Sequence, residues 1–172
     1  MNNINEILVF LTFLSQIVFV AGLISFFNYK AREQIILYIK KYGLIWAFVI
    51  ALVATSGSLF YSEIMKFDPC KLCWYQRIFV YPQVFLLGLA IYKKEKAIVD
   101  YSLLLLLFGG LISLYHNYIY YRIIDTAFCE TGQLATCTTK YIFEMGYITI
   151  PLMAMTSIIL MASLLWGYKN SE

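Results

Sequence analysis

Charge is scarce in this sequence. Asp, Glu, Lys and Arg make up 13% of the 172 residues, while hydrophobic residues reach 62%. Soluble domains carry about 25% charged residues and roughly 45–50% apolar ones, so a water-soluble globular domain is excluded. Histidine is scarcer still. His116 stands alone, and a haem held by two histidines therefore lacks a ligand. No Gly-x-Gly-x-x-Gly segment occurs, which removes a Rossmann site for a nicotinamide or flavin. There is no basic stripe beyond short segments flanking apolar runs, so nothing points to nucleic acid. Internal repeats are absent too.

What the chain has is long apolar runs. They cover about residues 7–27, 42–62, 74–92, 101–121 and 146–168, each near the 20 residues that span a hydrocarbon core. The reading is a single all-α membrane domain of five spans. The first run is read as a retained transmembrane helix rather than a signal peptide, since no Lys or Arg precedes it, it is long for an h-region, and no small-residue cleavage site follows. Small residues in the second run, among them Ala51, Ala54, Gly57 and Ser58, suit close helix packing in lipid. Pro82 is expected to kink the third run, and Pro151 to sit in the first turn of the fifth. Residues 28–41 read as a short basic loop.

Five spans alternate sides, so one assignment orients all of them. Lys30, Arg32, Lys40, Lys41, Lys93, Lys94, Lys96 and Lys169 fall on one side. The positive-inside rule makes that side cytoplasmic, with the N-terminus out and the C-terminus in. The extracytoplasmic loops are then about 63–73 and 122–145. They carry all four cysteines, in the pairs Cys70/Cys73 and Cys129/Cys137. That side of a membrane permits disulfides.

A Cys-x-x-Cys pair can cycle between dithiol and disulfide, staple a turn, or supply half of a metal site. A disulfide closing so short a ring contributes only roughly 2 kcal/mol by chain entropy, which a helix bundle hardly needs. Metal binding by all four cysteines is disfavoured by the long spacing of the second pair and by an oxidising compartment. Redox cycling fits best. Cys73 abuts the start of the third span, where a helix N-terminus lowers thiol pKa. Arg77 is one turn deeper on the same face. It can stabilise the Cys73 thiolate or hold an acceptor at the membrane edge, although a snorkelling arginine is the plainer role. Cys129/Cys137 is either a loop staple or a relay that exchanges with the first pair. His116 is ionisable and near a helix end at a depth like that of Arg77, which makes it a candidate for the acceptor site. An acceptor at the membrane edge, with no nucleotide fold present, points to a quinone. Carriage of reducing equivalents out of the cytosol would need cysteines reaching both faces, and here all four lie on one. A disulfide-stapled scaffold is the non-enzymatic rival.

The segment Cys70-Lys71-Leu72-Cys73-Trp74-Tyr75-Gln76-Arg77, followed by Tyr81-Pro82, resembles the signature of the DsbB/BdbC disulfide-formation family, most closely its shorter BdbC-like branch. Ser113-Leu114-Tyr115-His116 resembles the second signature, and the likeness extends over about residues 42–168. It implies a four-helix transmembrane core in a bacterial cytoplasmic membrane and a protein dithiol:quinone oxidoreductase. The implied partner is a DsbA- or BdbD-like thioredoxin-fold oxidase, and the implied acceptor is ubiquinone or menaquinone. By position, Cys129 would be attacked by the partner and Cys137 would then attack Cys70. Cys73 would face the quinone, with Arg77 and His116 at its ring. The run at 7–27 is extra to the family core.

Overall fold

The computed structural model describes residues 3–122, 137 and 141–170. Its elements are five α-helices: α1 Asn3–Phe26, α2 Tyr29–Leu59, α3 Lys71–Lys93, α4 Ala97–Arg122 and α5 Ile150–Lys169, with a π-helical turn Phe60–Ile64 continuing α2. Among the described residues there is no strand, only an isolated bridge between Glu144 and Ile148. Helices α1, α2, α4 and α5 are long and apolar enough to cross a membrane. Helix α3 has 23 residues, which at 1.5 Å per residue is also about a bilayer thickness. Gln76, Arg77, Gln83 and Lys93 lower its hydropathy. It packs between α2 and α4 all the same.

Helices α2 to α5 enclose the core. Ala47 and Ala51 of α2, Val80 and Leu87 of α3, Val99 and Leu106 of α4, and Ile158, Met161 and Leu165 of α5 form one buried cluster. Without water as a competitor, close packing holds such helices together. Gly109 marks a tight approach of α4 to α3: a Cβ there would lie 3.0 Å from Phe79 Cβ. Gly109→Val should destabilise the α3–α4 contact by about 1–3 kcal/mol, seen as earlier thermal unfolding in detergent. An unchanged midpoint would show that the helices do not meet there. Helix α1 lies at the edge of this core and packs on α2 and α5. The architecture is thus the expected four-helix core with one additional N-terminal helix.

Several boundaries differ from the sequence reading. Residues 28–41 are not a loop, because α2 already starts at Tyr29. The segment Ala31-Arg32-Glu33-Gln34 is charged but rich in helix formers, and only a turn at Phe27–Asn28 separates α1 from α2. Helix α4 starts at Ala97 rather than 101. Helix α5 starts at Ile150 rather than 146. Met145 and Gly146 have positive φ and form a turn. Thr149 then caps α5 by accepting from Leu152 N at 3.3 Å, with Pro151 in the first turn. Helix α3 runs unbroken through Pro82.

Candidate functional site

The site is built where α2 ends and α3 begins. The π-helical turn closes with Met65 N donating to Phe60 O at 3.1 Å, and Lys66 takes a positive φ. Turns of this kind are frequent at functional sites. Phe67 then stacks on Tyr61 at 6.1 Å and on Tyr141 at 4.6 Å, which fixes the approach to Pro69. Cys70 is the N-cap of α3 in an extended conformation, its carbonyl accepting from Trp74 N at 3.1 Å. The Cys-x-x-Cys pair therefore occupies a helix N-terminus, where orphan N–H groups favour a thiolate.

Both cysteines are free thiols. Their sulfurs are 3.3 Å apart, and Cys70 Sγ is 3.7 Å from His116 Nε2. His116, on α4, is 1% exposed. Its Nδ1 lies 3.3 Å from Gln76 Nε2, so the Gln76 amide can donate to Nδ1 and leave a proton on Nε2, aimed at the sulfur. The Cys70 thiol is lowered to about 4, chiefly by the hydrogen bond with Cys73 and further by the hydrogen bond and charge of His116, against burial, which raises it. This favours the Cys70 thiolate over the thiol. In the reduced protein, its alkylation rate should stay level on acidification and fall only as pH approaches about 4. In His116→Ala the fall should come at higher pH. An identical profile in both proteins would remove His116 from the site.

Arg77 is one turn beyond Cys73, as expected, but its hydrogen bonds run to α2. Its Nε donates to Ser58 Oγ at 3.1 Å and its Nη2 to the Ser58 carbonyl at 3.2 Å. Tyr81 donates to the same Ser58 Oγ at 3.1 Å. The guanidinium lies over the Trp74 ring at 5.2 Å and the Tyr81 ring at 5.9 Å. Two of the five N–H donors point at α2, and others remain for a ligand.

Cys137 is disulfide-bonded and packs in one buried cluster with Cys70, Leu72 and Ile119, with Cys73 against it. Cys129 lies outside the described residues, as does most of the loop 122–145. A metal site made of all four cysteines loses Cys137 to its disulfide. Cys70, Cys73 and His116 still present three ligand atoms within 4.8 Å of one another, the donor types of a zinc site without its fourth ligand.

An apolar cavity of about 1190 Å³ opens onto this cluster, lined there by Cys70, Cys73, Gln76, Arg77 and His116. The structure therefore gathers Cys70, Cys73, Arg77, His116 and Cys137 at one end of the bundle. Sequence reasoning missed two supports, Gln76 and Ser58. A glutamine inside an apolar run, 5% exposed in the fold, was the available signal for the first.

A thiol pair at a helix mouth, the disulfide-bonded Cys137 packed against it and an apolar cavity behind it define a multi-pass membrane disulfide oxidoreductase. Comparison with known proteins agrees. Residues 40–167 match the family described as "Disulfide bond formation protein DsbB". The chain is 45% identical over 126 residues to "Probable disulfide formation protein C 1" of Bacillus anthracis, covering 72% of this chain and 88% of that protein. It is 40% identical over 130 residues to "Disulfide bond formation protein C" of Bacillus subtilis (strain 168), covering 72% and 92%. No solved structure matches. The chain belongs to the DsbB family.

Proposed function

We propose that this protein is a dithiol:quinone oxidoreductase that reoxidises an extracytoplasmic thioredoxin-fold oxidase. The observation that carries the reading is the Cys70–Cys73–His116 cluster opening onto an apolar cavity beside Arg77.

The steps balance as two-electron exchanges. A thiolate of the reduced partner attacks Cys129 and expels the Cys137 thiolate. The partner's second thiolate resolves this mixed disulfide, leaving the partner oxidised and Cys129 and Cys137 reduced. Cys137 attacks Cys70 of the oxidised Cys70–Cys73 pair and expels Cys73. Cys129 then attacks Cys137, restoring that disulfide and leaving Cys70 and Cys73 as a dithiol. A quinone accepts two electrons and two protons from the dithiol. Cys73 is expected to face it. Arg77, with N–H donors left beyond those given to Ser58, can hydrogen-bond a quinone carbonyl. His116 holds the Cys70 thiolate during exchange and can carry a proton. Orientation with both loops outside the cytoplasm follows from the charge asymmetry of the sequence.

The experiment is a trap. In Cys137→Ala, Cys129 is a free thiol, and it is offered a partner that lacks its second cysteine and carries its remaining one as a mixed disulfide with thionitrobenzoate. Cys129 should attack the partner's sulfur and expel the coloured thionitrobenzoate, and the resulting complex, which has no resolving thiol in the partner, should accumulate on a non-reducing gel and dissolve with reductant. Cys129→Ala should give no complex. A complex forming through Cys137 alone would reverse the two roles.

A further inference from the structure

The cavity that begins at Cys70 does not stop near the cysteines. Its wall follows α5 from Ile150 to Asn170, roughly 30 Å at 1.5 Å per residue, which is about the full hydrocarbon thickness. At 1190 Å³ it exceeds the roughly 300–1,000 Å³ of ordinary small-molecule pockets. It is a furrow suited to something long, thin and apolar with a polar head at the cysteines.

Helix α1 makes another of its walls. Leu8, Thr12, Ser15, Phe19, Gly22 and Phe26 follow one another at three- and four-residue intervals along it, a single helical face. The helix is pinned on either side of the gap. Tyr61 donates to Asn5 Oδ1 at 2.9 Å, Gln16 Nε2 to Thr156 Oγ1 at 3.0 Å and Tyr147 to Gln16 Oε1 at 2.8 Å. At the other end the Arg32 guanidinium lies over the Phe26 ring at 4.9 Å. Between Gln16 and Phe26 there is room beside α1 at Gly22, where an added Cβ would meet nothing within 4 Å. The family match starts only at residue 40, so this wall lies outside the matched region.

We propose that α1 encloses the isoprenoid chain of the quinone and sets the enzyme's preference for long-tailed over tail-less acceptors. This rests on the reading of a quinone as acceptor. The tail is the occupant that fits, because the furrow is continuous with the reacting sulfurs and Arg77, where the ring would lie, and because its lining beyond them is almost wholly apolar.

The test uses the full-length protein in nanodiscs with reduced partner. KM is measured for a long-tailed menaquinone and for menadione, which has no tail. Gly22→Phe and Ser15→Phe place a ring in the furrow from two different turns, so one misfolded variant does not end the test. Each should raise the ratio of the long-tailed to the tail-less KM about tenfold, equivalent to losing roughly two buried methylene contacts. Phe10→Trp adds bulk at a position 57% exposed and outside the furrow, and should leave the ratio unmoved. An unchanged ratio in both furrow variants, or an equal rise in Phe10→Trp, overturns the proposal. Copurifying phospholipid in the furrow with an unchanged ratio also overturns it. A wild-type protein that reduces neither quinone removes the acceptor reading and this proposal together. Reduction of both with flat variants removes only the role of α1.

Discussion

Cys73→Ser is expected to oxidise one equivalent of reduced partner and then stop. In the proposed relay, a disulfide between Cys129 and Cys137 can still accept one pair of electrons from the partner. Cys137, once released, then finds no disulfide at Cys70 to attack, because a hydroxyl in place of the Cys73 thiol cannot form one. Steady-state turnover should fall on the order of 10³-fold or more, the scale seen when a covalent nucleophile is removed. The packing need not change: Cys73 is a half-buried side chain at the rim of a small cluster around Cys70, Leu72, Ile119 and Cys137. A burst of one equivalent in a rapid-mixing experiment, with no quinol formed, is the expected signature. Sustained turnover in Cys73→Ser would mean that electrons leave by another route.

The second large effect is expected at Arg77. Arg77→Met keeps much of the side chain's apolar stem and removes the charge. A hydrogen bond to a charged group contributes about 1.5–3 kcal/mol, so KM for quinone should rise roughly 10- to 150-fold. The first exchange between partner and Cys129 should keep its rate, since that thiol chemistry does not involve the guanidinium. Ser58→Ala should act in the same direction but less, about fivefold, because it removes one of the two bonds that orient Arg77 and leaves the charge and the bond to the residue 58 carbonyl in place. A slowed first exchange in Arg77→Met, with an unchanged quinone KM, would place Arg77 in structural support of the loop.

Much of this fold was legible because lipid-spanning helices need about 20 consecutive apolar residues, and the runs at 7–27, 101–121 and 146–168 announce themselves. Their ends were less legible. Arg32, Lys40 and Lys41 made residues 28–41 look like a loop, yet charged residues continue a helix beyond the hydrocarbon as readily as they end one. The start of α5 depended on the turn at Met145 and Gly146, which an apolar run conceals. At the site, spacing along α3 was enough to place Arg77 below Cys73. His116 was assigned a depth but not a neighbour, since only the packing of α4 against α3 brings its ring to Cys70. Ser58 looked like one more small residue for close packing, and its bonds to Arg77 and Tyr81 exist only across the α2–α3 contact. The furrow along α1 was invisible, because a gap between helices has no signature in either helix alone.

Departure of electrons from the Cys70–Cys73 pair to a membrane quinone is the step on which the proposed mechanism turns. The most direct measurement supplies the purified full-length protein, in nanodiscs, with a reduced thioredoxin-fold partner and either ubiquinone or menaquinone. Quinol absorbance and partner thiols are followed together. One quinol should form for each partner dithiol oxidised, with at least one of the two quinones, and none in Cys73→Ser. Partner oxidation without quinol, or no reaction with either quinone, would contradict the mechanism.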